Sequence, residues 1–241
     1  MLTGNFEKCL SYVSSQLAES KDKNGHVHLG TRPAVTFSRM TGCRMPLIGA
    51  GLVDYLNEHS RDHVIPWTFF DKNLVQKVLE DHNLPSHLEK CMPEDKTGVV
   101  EDLIGEIFGS DPSHWFLIQK TRKTIYQLGR LGNVLIVGRG ANIITHDLPN
   151  MVHVRLIGSF ERRVARMRES LKLSEREAQA WVKKTDLARQ RYVMAHFGED
   201  INNPFLYHLI INTDHFSDET IINIVGEAAL QREKELRARK K

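Results

Sequence analysis

Ala34-Val35-Thr36-Phe37-Ser38-Arg39-Met40-Thr41-Gly42-Cys43-Arg44-Met45-Pro46 decides the architecture of this chain. Ala34 to Ser38 is a compact β-prone run. Arg39 to Met45 is a loop containing one glycine, and Pro46 suits the first turn of a helix because its missing N–H costs nothing there. The next helix is predicted over 47–58. A strand, a loop and a helix in this order form the first half of a β-α-β unit, and the chain repeats the pattern. Trp67 to Phe70 is a second strand, with Asp71 able to cap a helix over 72–81. Residues 85–112 are less regular, with one helix predicted over 99–108, and a longer helix runs from His114 to Leu131 before Gly132.

Further along, Val134-Leu135-Ile136-Val137 is fully apolar and runs into Gly138-Arg139-Gly140, and Val152 to Ile157 is another strand. Ser159 is placed to cap a helix whose buried stripe is predicted as Phe160, Val164, Met167 and Leu171. Ser174-Glu175-Arg176-Glu177 is a capping box that starts the following helix. Leu209 to Ile211 is a last strand, and Ser217 opens a C-terminal helix ending in Lys and Arg, as the helix dipole favours. Apolar strands separated by helices require a parallel sheet covered on both faces. The expected fold is a three-layer α/β/α domain with a central parallel sheet over residues 32–241 and a short helical lid around 160–200. Residues 1–31 are expected to be a helical extension and linker, its stripe Phe6, Leu10, Val13 and Leu17 placed either to pack onto the domain or to make dimer contacts.

The 241 residues can bury a sizeable core. A formal net charge of +3 is too small to argue for nucleic-acid or membrane binding. No apolar run reaches the length of a membrane span, and the polar start Met1-Leu2-Thr3-Gly4-Asn5 does not read as a signal peptide. Cys9, Cys43 and Cys91 are scattered and not in metal spacing, so a reducing, cytoplasmic compartment is expected. The histidines are likewise not spaced as ligands, and no metal-binding residue is assigned.

Ligands of such sheets bind beyond the carboxyl ends of the strands. Three polar clusters fall there: the loop after Ser38, Gly138-Arg139-Gly140, and Asn212-Thr213. The first could cradle phosphate at a helix N-terminus, although the Gly-x-x-x-x-Gly-Lys-Ser/Thr pattern is not present. Arg39 and Arg44 are its only cations, and an ordinary strand-to-helix connection is the plainer reading of the loop alone. Arg139, between two glycines after a buried strand, could grip phosphate bidentately, the plain alternative being a loop arginine paired with a carboxylate. Arg162 and Arg166 lie one turn apart on the helix after the fourth strand. With Lys183, Lys184, Arg189 and Arg191 they could wall a lid that stabilises charge on a transferring phosphoryl group. At least two of Arg162, Arg163, Arg166 and Arg168 are expected to be an ordinary solvated face.

These residues together resemble the bacterial cytidylate kinase-like proteins, relatives of the nucleoside monophosphate kinases within the P-loop NTPase superfamily. The likeness runs from about Ala34 to Val225. It is carried by Val35-Thr36-Phe37-Ser38-Arg39 with Gly42, Phe69-Phe70-Asp71-Lys72-Asn73-Leu74, Val137-Gly138-Arg139-Gly140, Asp186-Leu187-Ala188-Arg189 and Ile211-Asn212-Thr213. Gly42-Cys43-Arg44-Met45 stands where the family carries Gly-Ser-Gly-Gly, and Asn212 where cytidylate kinases carry Asp.

The resemblance implies an ATP- and Mg²⁺-dependent phosphotransferase acting on a nucleoside monophosphate or similar small phosphorylated acceptor. Ser38, Arg39, Thr41, Gly42, Cys43, Arg44 and Met45 would form the donor phosphate loop, and Asp71, Arg139, Asp186 and Arg189 would bind the acceptor. Arg162, Arg166 and Lys183 would be the catalytic cations. The alternative is a non-catalytic nucleotide sensor or protein-interaction module that keeps the fold without the donor site.

Overall fold

The computed structural model describes residues 32–60, 65–70 and 112–238. The predicted helices over 72–81 and 99–108, the N-terminal extension 1–31 and Asp71 lie outside them. In chain order the described elements are β1 (Ala34–Arg39), α1 (Met45–His59), β2 (Thr68–Phe70), α2 (Pro112–Leu131), β3 (Val134–Val137), α3 (Ala141–Ile144), β4 (Met151–Ile157), α4 (Phe160–Leu171), α5 (Glu175–Phe197), β5 (Leu209–Asn212) and α6 (Asp218–Ala238). The five strands form one sheet in the order β2-β3-β1-β4-β5, and every pairing is parallel.

Side chains alternate across a sheet, and the two faces feed two cores. Val35, Phe37, Leu135, Val137, Val152, Val154 and Leu156 pack with Ile48, Leu52 and Leu56 of α1 and Ile221, Val225 and Ala229 of α6. Ala34, Val134, Ile136 and Met151 face the other way, onto Ile125 and Leu128 of α2 and Ala141 of α3. Full burial of such a side chain stabilises by roughly 1.5–3 kcal/mol, so the two cores fix the sheet between its helical layers. The three-layer α/β/α expectation holds.

Ser38 of β1 lies in register with Arg155 of β4, and Thr36 with His153. Alternation puts all four on the face opposite α1 and α6. Each pair is bonded: the Arg155 guanidinium donates to Ser38 Oγ at 2.8 Å, and Thr36 Oγ1 meets His153 Nδ1 at 2.8 Å. The central strands are thus apolar on one face and polar towards the carboxyl ends on the other.

The helical pair α4–α5 has a small core of its own, Val164, Ala178 and Val182, with Phe160, Met167 and Leu173 against it. Leu171, expected in that stripe, is instead 44% exposed. The helix stops there because Lys172 turns into the left-handed region, and Leu173 takes the apolar position. The capping box at Ser174 forms in full. Ser159 sits at the N-cap of α4 without a side-chain cap bond, and its N–H donates to Asp214 instead, at 2.6 Å.

Candidate active site

The loop after β1 is folded tightly under α4 and α5. Gly42 has φ +84°, and a Cβ there would come within 2.7 Å of the Arg163 carbonyl, so no larger residue fits without moving α4. Thr41 presents its N–H and its hydroxyl to one oxygen of Asp186, both at 2.7 Å. The other Asp186 oxygen takes Arg163 Nη1 at 2.5 Å. Arg189 Nη1 completes the knot, at 2.8 Å from Thr41 Oγ1 and 3.5 Å from Asp186. Arg163 also donates to the carbonyls of Gly158 and Thr41.

Arg44 stands at the N-cap of α1 with φ 54°, a left-handed conformation that favours glycine. Its guanidinium points to α6, 2.6 Å from Asp218, and donates to the Thr213 and Phe216 carbonyls. Cys43 is free and buried, burial raising its thiol pKa, and Met45 belongs to the core. Arg166 donates to Gly42 O and Thr213 Oγ1 and pairs with Asp214. Arg162 donates to the Asp214 carbonyl at 2.6 Å. Burial pushes the Asp214 carboxyl up, but bonds from Ser159 and the charges of Arg166 and Arg162 outweigh it and hold the pKa below the ordinary carboxylate value. Lys183 is exposed, its ammonium 5.3 Å from the centre of the Phe160 ring.

The loop after β3 has a different character. Gly138, Arg139 and Gly140 all have positive φ, 80°, 55° and 68°. A non-glycine residue in that region stores strain, which persists where the surroundings impose it. Gly140 is obligatory for a second reason: a Cβ would meet the Phe197 ring of α5 at 2.2 Å. Arg139 is buried, with its guanidinium 5.7 Å from the centre of the Tyr192 ring. Ser38, Arg39, Arg139, Asn142, Arg189 and Tyr192 line a narrow cleft of about 20 Å³, with no carboxylate among the described residues that line it.

A larger cavity, about 470 Å³, lies between the C-terminal ends of α1 and α6, lined by His59, Glu227, Glu233, Lys234 and Arg237. It is far from the strand ends where such sheets bind ligands, and its buried Glu233 is already matched by Arg237 at 2.6 Å and Ser60 at 3.3 Å. Geometry favours the smaller cleft.

Of the residues singled out in the sequence, the structure groups Ser38, Arg39, Arg139 and Arg189 around this cleft, and Thr41, Gly42, Arg166, Asp186 and Arg189 in the knot beside it. Arg44 and Lys183 stand apart. Two buried arginines were passed over: Arg163, grouped with a solvated helix face, and Arg155, counted as part of a strand. An arginine inside a strand whose only other polar residue is His153 was the available signal for Arg155.

Residues 34–215 match the cytidylate kinase-like family, well over half of the chain. The chain belongs to that family. Among solved structures, an uncharacterized protein from Eubacterium ventriosum is 18% identical with a TM-score of 0.61, covering 82% of this chain and 98% of its own, which shows the shared fold. Shikimate kinase from Bacteroides thetaiotaomicron (16% identity, 85% and 97% coverage, TM-score 0.42) and a gluconokinase from Sinorhizobium meliloti (10%, 86% and 94%, 0.43) are more distant. Among curated proteins no sequence matches. Membership of a cytidylate kinase-like family supports a phosphotransferase-like activity. No described helix is long and apolar enough to cross a membrane.

Proposed function

We propose that the protein is a phosphotransferase whose acceptor is a nucleoside monophosphate or a similar small phosphorylated molecule. The observation that carries this reading is the cleft at the ends of β1 and β3, which is lined by Arg39, Arg139 and Arg189 and, among the described residues, by no carboxylate. Arg139 and Arg189 hold the acceptor phosphate there, with Ser38 and Asn142 as neutral partners, and Tyr192 flanks Arg139. A cleft of about 20 Å³ holds little more than a water molecule, so α5, which supplies Arg189 and Tyr192, must shift to admit a ligand. Hydrogen exchange across Lys183–His196 is expected to change on saturation with nucleotide, and identical protection would mark α5 as fixed.

ATP with Mg²⁺, which the family implies, would have to meet the loop Arg39 to Met45. That loop is poorly suited as it stands, because Thr41 N–H is given to Asp186 and Arg44 to Asp218, and Gly42 is pressed against Arg163. No catalytic step is therefore derived through the donor. The same observation supports a second reading, a nucleotide sensor that binds the acceptor and transfers nothing. Measuring ATP consumption against a panel of nucleoside monophosphates, alongside calorimetric binding of the same panel, separates the two. Turnover with one monophosphate establishes the enzyme, binding without turnover establishes the sensor, and the absence of both binding and turnover with every monophosphate overturns the anion cleft.

A further inference from the structure

We propose that Arg155 is a positioning residue of the acceptor cleft, acting through Ser38 to make the cleft select a dianionic phosphate monoester over a monoanionic phosphodiester. The inference deepens the reading of the cleft as an anion site and rests on it.

Arg155 comes from the middle layer of the fold, on β4, and is only 4% exposed. Its guanidinium donates to Ser38 Oγ at 2.8 Å and Asn202 Oδ1 at 2.9 Å, lies 3.5 Å from Tyr207 Oη, and sits 5.5 Å from the centre of the Tyr207 ring. Every one of these partners is neutral. The carboxylate nearest along this chain of bonds, Asp200, is exposed and reached only through the Asn202 side chain. A buried charge is strongly disfavoured unless paired, and arginine cannot escape by losing its proton.

The geometry shows where a counter-charge belongs. Ser38 lines the cleft while accepting from Arg155, so the guanidinium stands one hydroxyl away from any ligand there. A hydroxyl has one proton and two acceptor positions. Arg155 at 2.8 Å and the Tyr207 hydroxyl at 3.3 Å both donate to the Ser38 oxygen, which leaves the Ser38 proton as a donor to a ligand oxygen. Arg139 directly grips one negative charge of the ligand. A second negative charge is stabilised by the field of Arg155, transmitted across the Ser38 hydroxyl in a site where water does little screening.

The test uses a nucleoside 5′-monophosphate and its methyl ester, which share base and sugar but differ by one negative charge at pH near 7.5. Calorimetry would compare the wild type with Arg155→Gln, Arg155→Lys and Ser38→Ala. The wild type is expected to prefer the monoester. Arg155→Gln should cut that preference roughly tenfold, as expected for a lost charge-assisted interaction, while Arg155→Lys retains most of it. Ser38→Ala, a small change that tests the same route if Arg155→Gln does not fold, should also cut it. Equal loss of both ligands in these variants would make Arg155 merely structural and overturn the proposal, as would an unchanged preference. If the wild type binds neither ligand, the anion-cleft reading itself fails; binding of both with no role for Arg155 leaves that reading standing and removes only this inference.

Discussion

The loops after β1 and β3 leave the same edge of the sheet and both carry arginine, yet they handle its charge in opposite ways. Around the first, Arg163 and Arg189 share Asp186, Arg44 meets Asp218, and Arg166 meets Asp214. Around the second, Arg139 is buried and the cleft lining holds no carboxylate among the described residues, while the partners of Arg155, on the neighbouring β4, are neutral. A region that balances its charge internally is held together by that balance. A region whose described lining is cationic and neutral is suited to an anion from outside. The side chains lining each loop therefore separate structure from recognition more sharply than the loop sequences do.

The largest effect is expected on the balanced side. Asp186→Ala removes the carboxylate from a buried Arg163 and from the Thr41 N–H. Breaking a buried pair costs about 3–5 kcal/mol, and because Asp186 is 27% exposed the lower end, about 3 kcal/mol, is expected in urea unfolding. Unchanged stability would show that the knot is ornamental and would undo the first half of the comparison.

A smaller, pH-dependent effect sharpens the second half. His153 shares the sheet face of Arg155, stacks on His208 at 4.7 Å, and is lowered to a pKa of about 3, first by burial and then by the charge of His208. Burial also lowers His208, with Arg232 second. A histidine in this place adapts by giving up its proton, which an arginine cannot do. The sign follows from the depressed folded value. The neutral form stabilises the fold fully above the unfolded pKa near 6.5, and this is lost as pH falls from there towards about 3. The loss is on the order of 1 kcal/mol per pH unit. His153→Gln should flatten the acid limb of a stability-versus-pH curve; an unchanged limb would assign it to other groups.

The smallest effect belongs to Arg44. Its pair with Asp218 is partly exposed on both sides, 27% and 31%, so Arg44→Ala should cost about 0.5 kcal/mol in thermal or urea unfolding. Monophosphate affinity should stay within about twofold, since a partly exposed pair outside the cleft contributes little to it. A large loss of affinity would mean that Arg44 leaves Asp218 when ligand binds.

The fold was largely legible because strands and helices announce themselves by period. Val134 to Val137 is uninterrupted and apolar, and Ser174 to Glu177 is a complete capping box. The site was less legible, because it depends on which side chains cross between elements. Asp186 and Arg189 share a helix face in the sequence, yet only the packing of α5 onto Thr41 reveals what they hold. Arg163 follows Arg162 by one position, yet Arg163 is buried against Gly42 while Arg162 is exposed. Arg155 is visible as an arginine in a mostly apolar strand, but its bond to Ser38 depends on the register of β4 against β1.

The central claim is that the cleft after β3 binds the phosphate of an acceptor through Arg139. Calorimetric titration of nucleoside monophosphates into the wild type and Arg139→Ala tests it directly. The account predicts binding to the wild type that weakens with salt, and a loss of about 1.5–3 kcal/mol in Arg139→Ala without loss of the folded state. Equal affinity of the two proteins for every monophosphate that binds would contradict it.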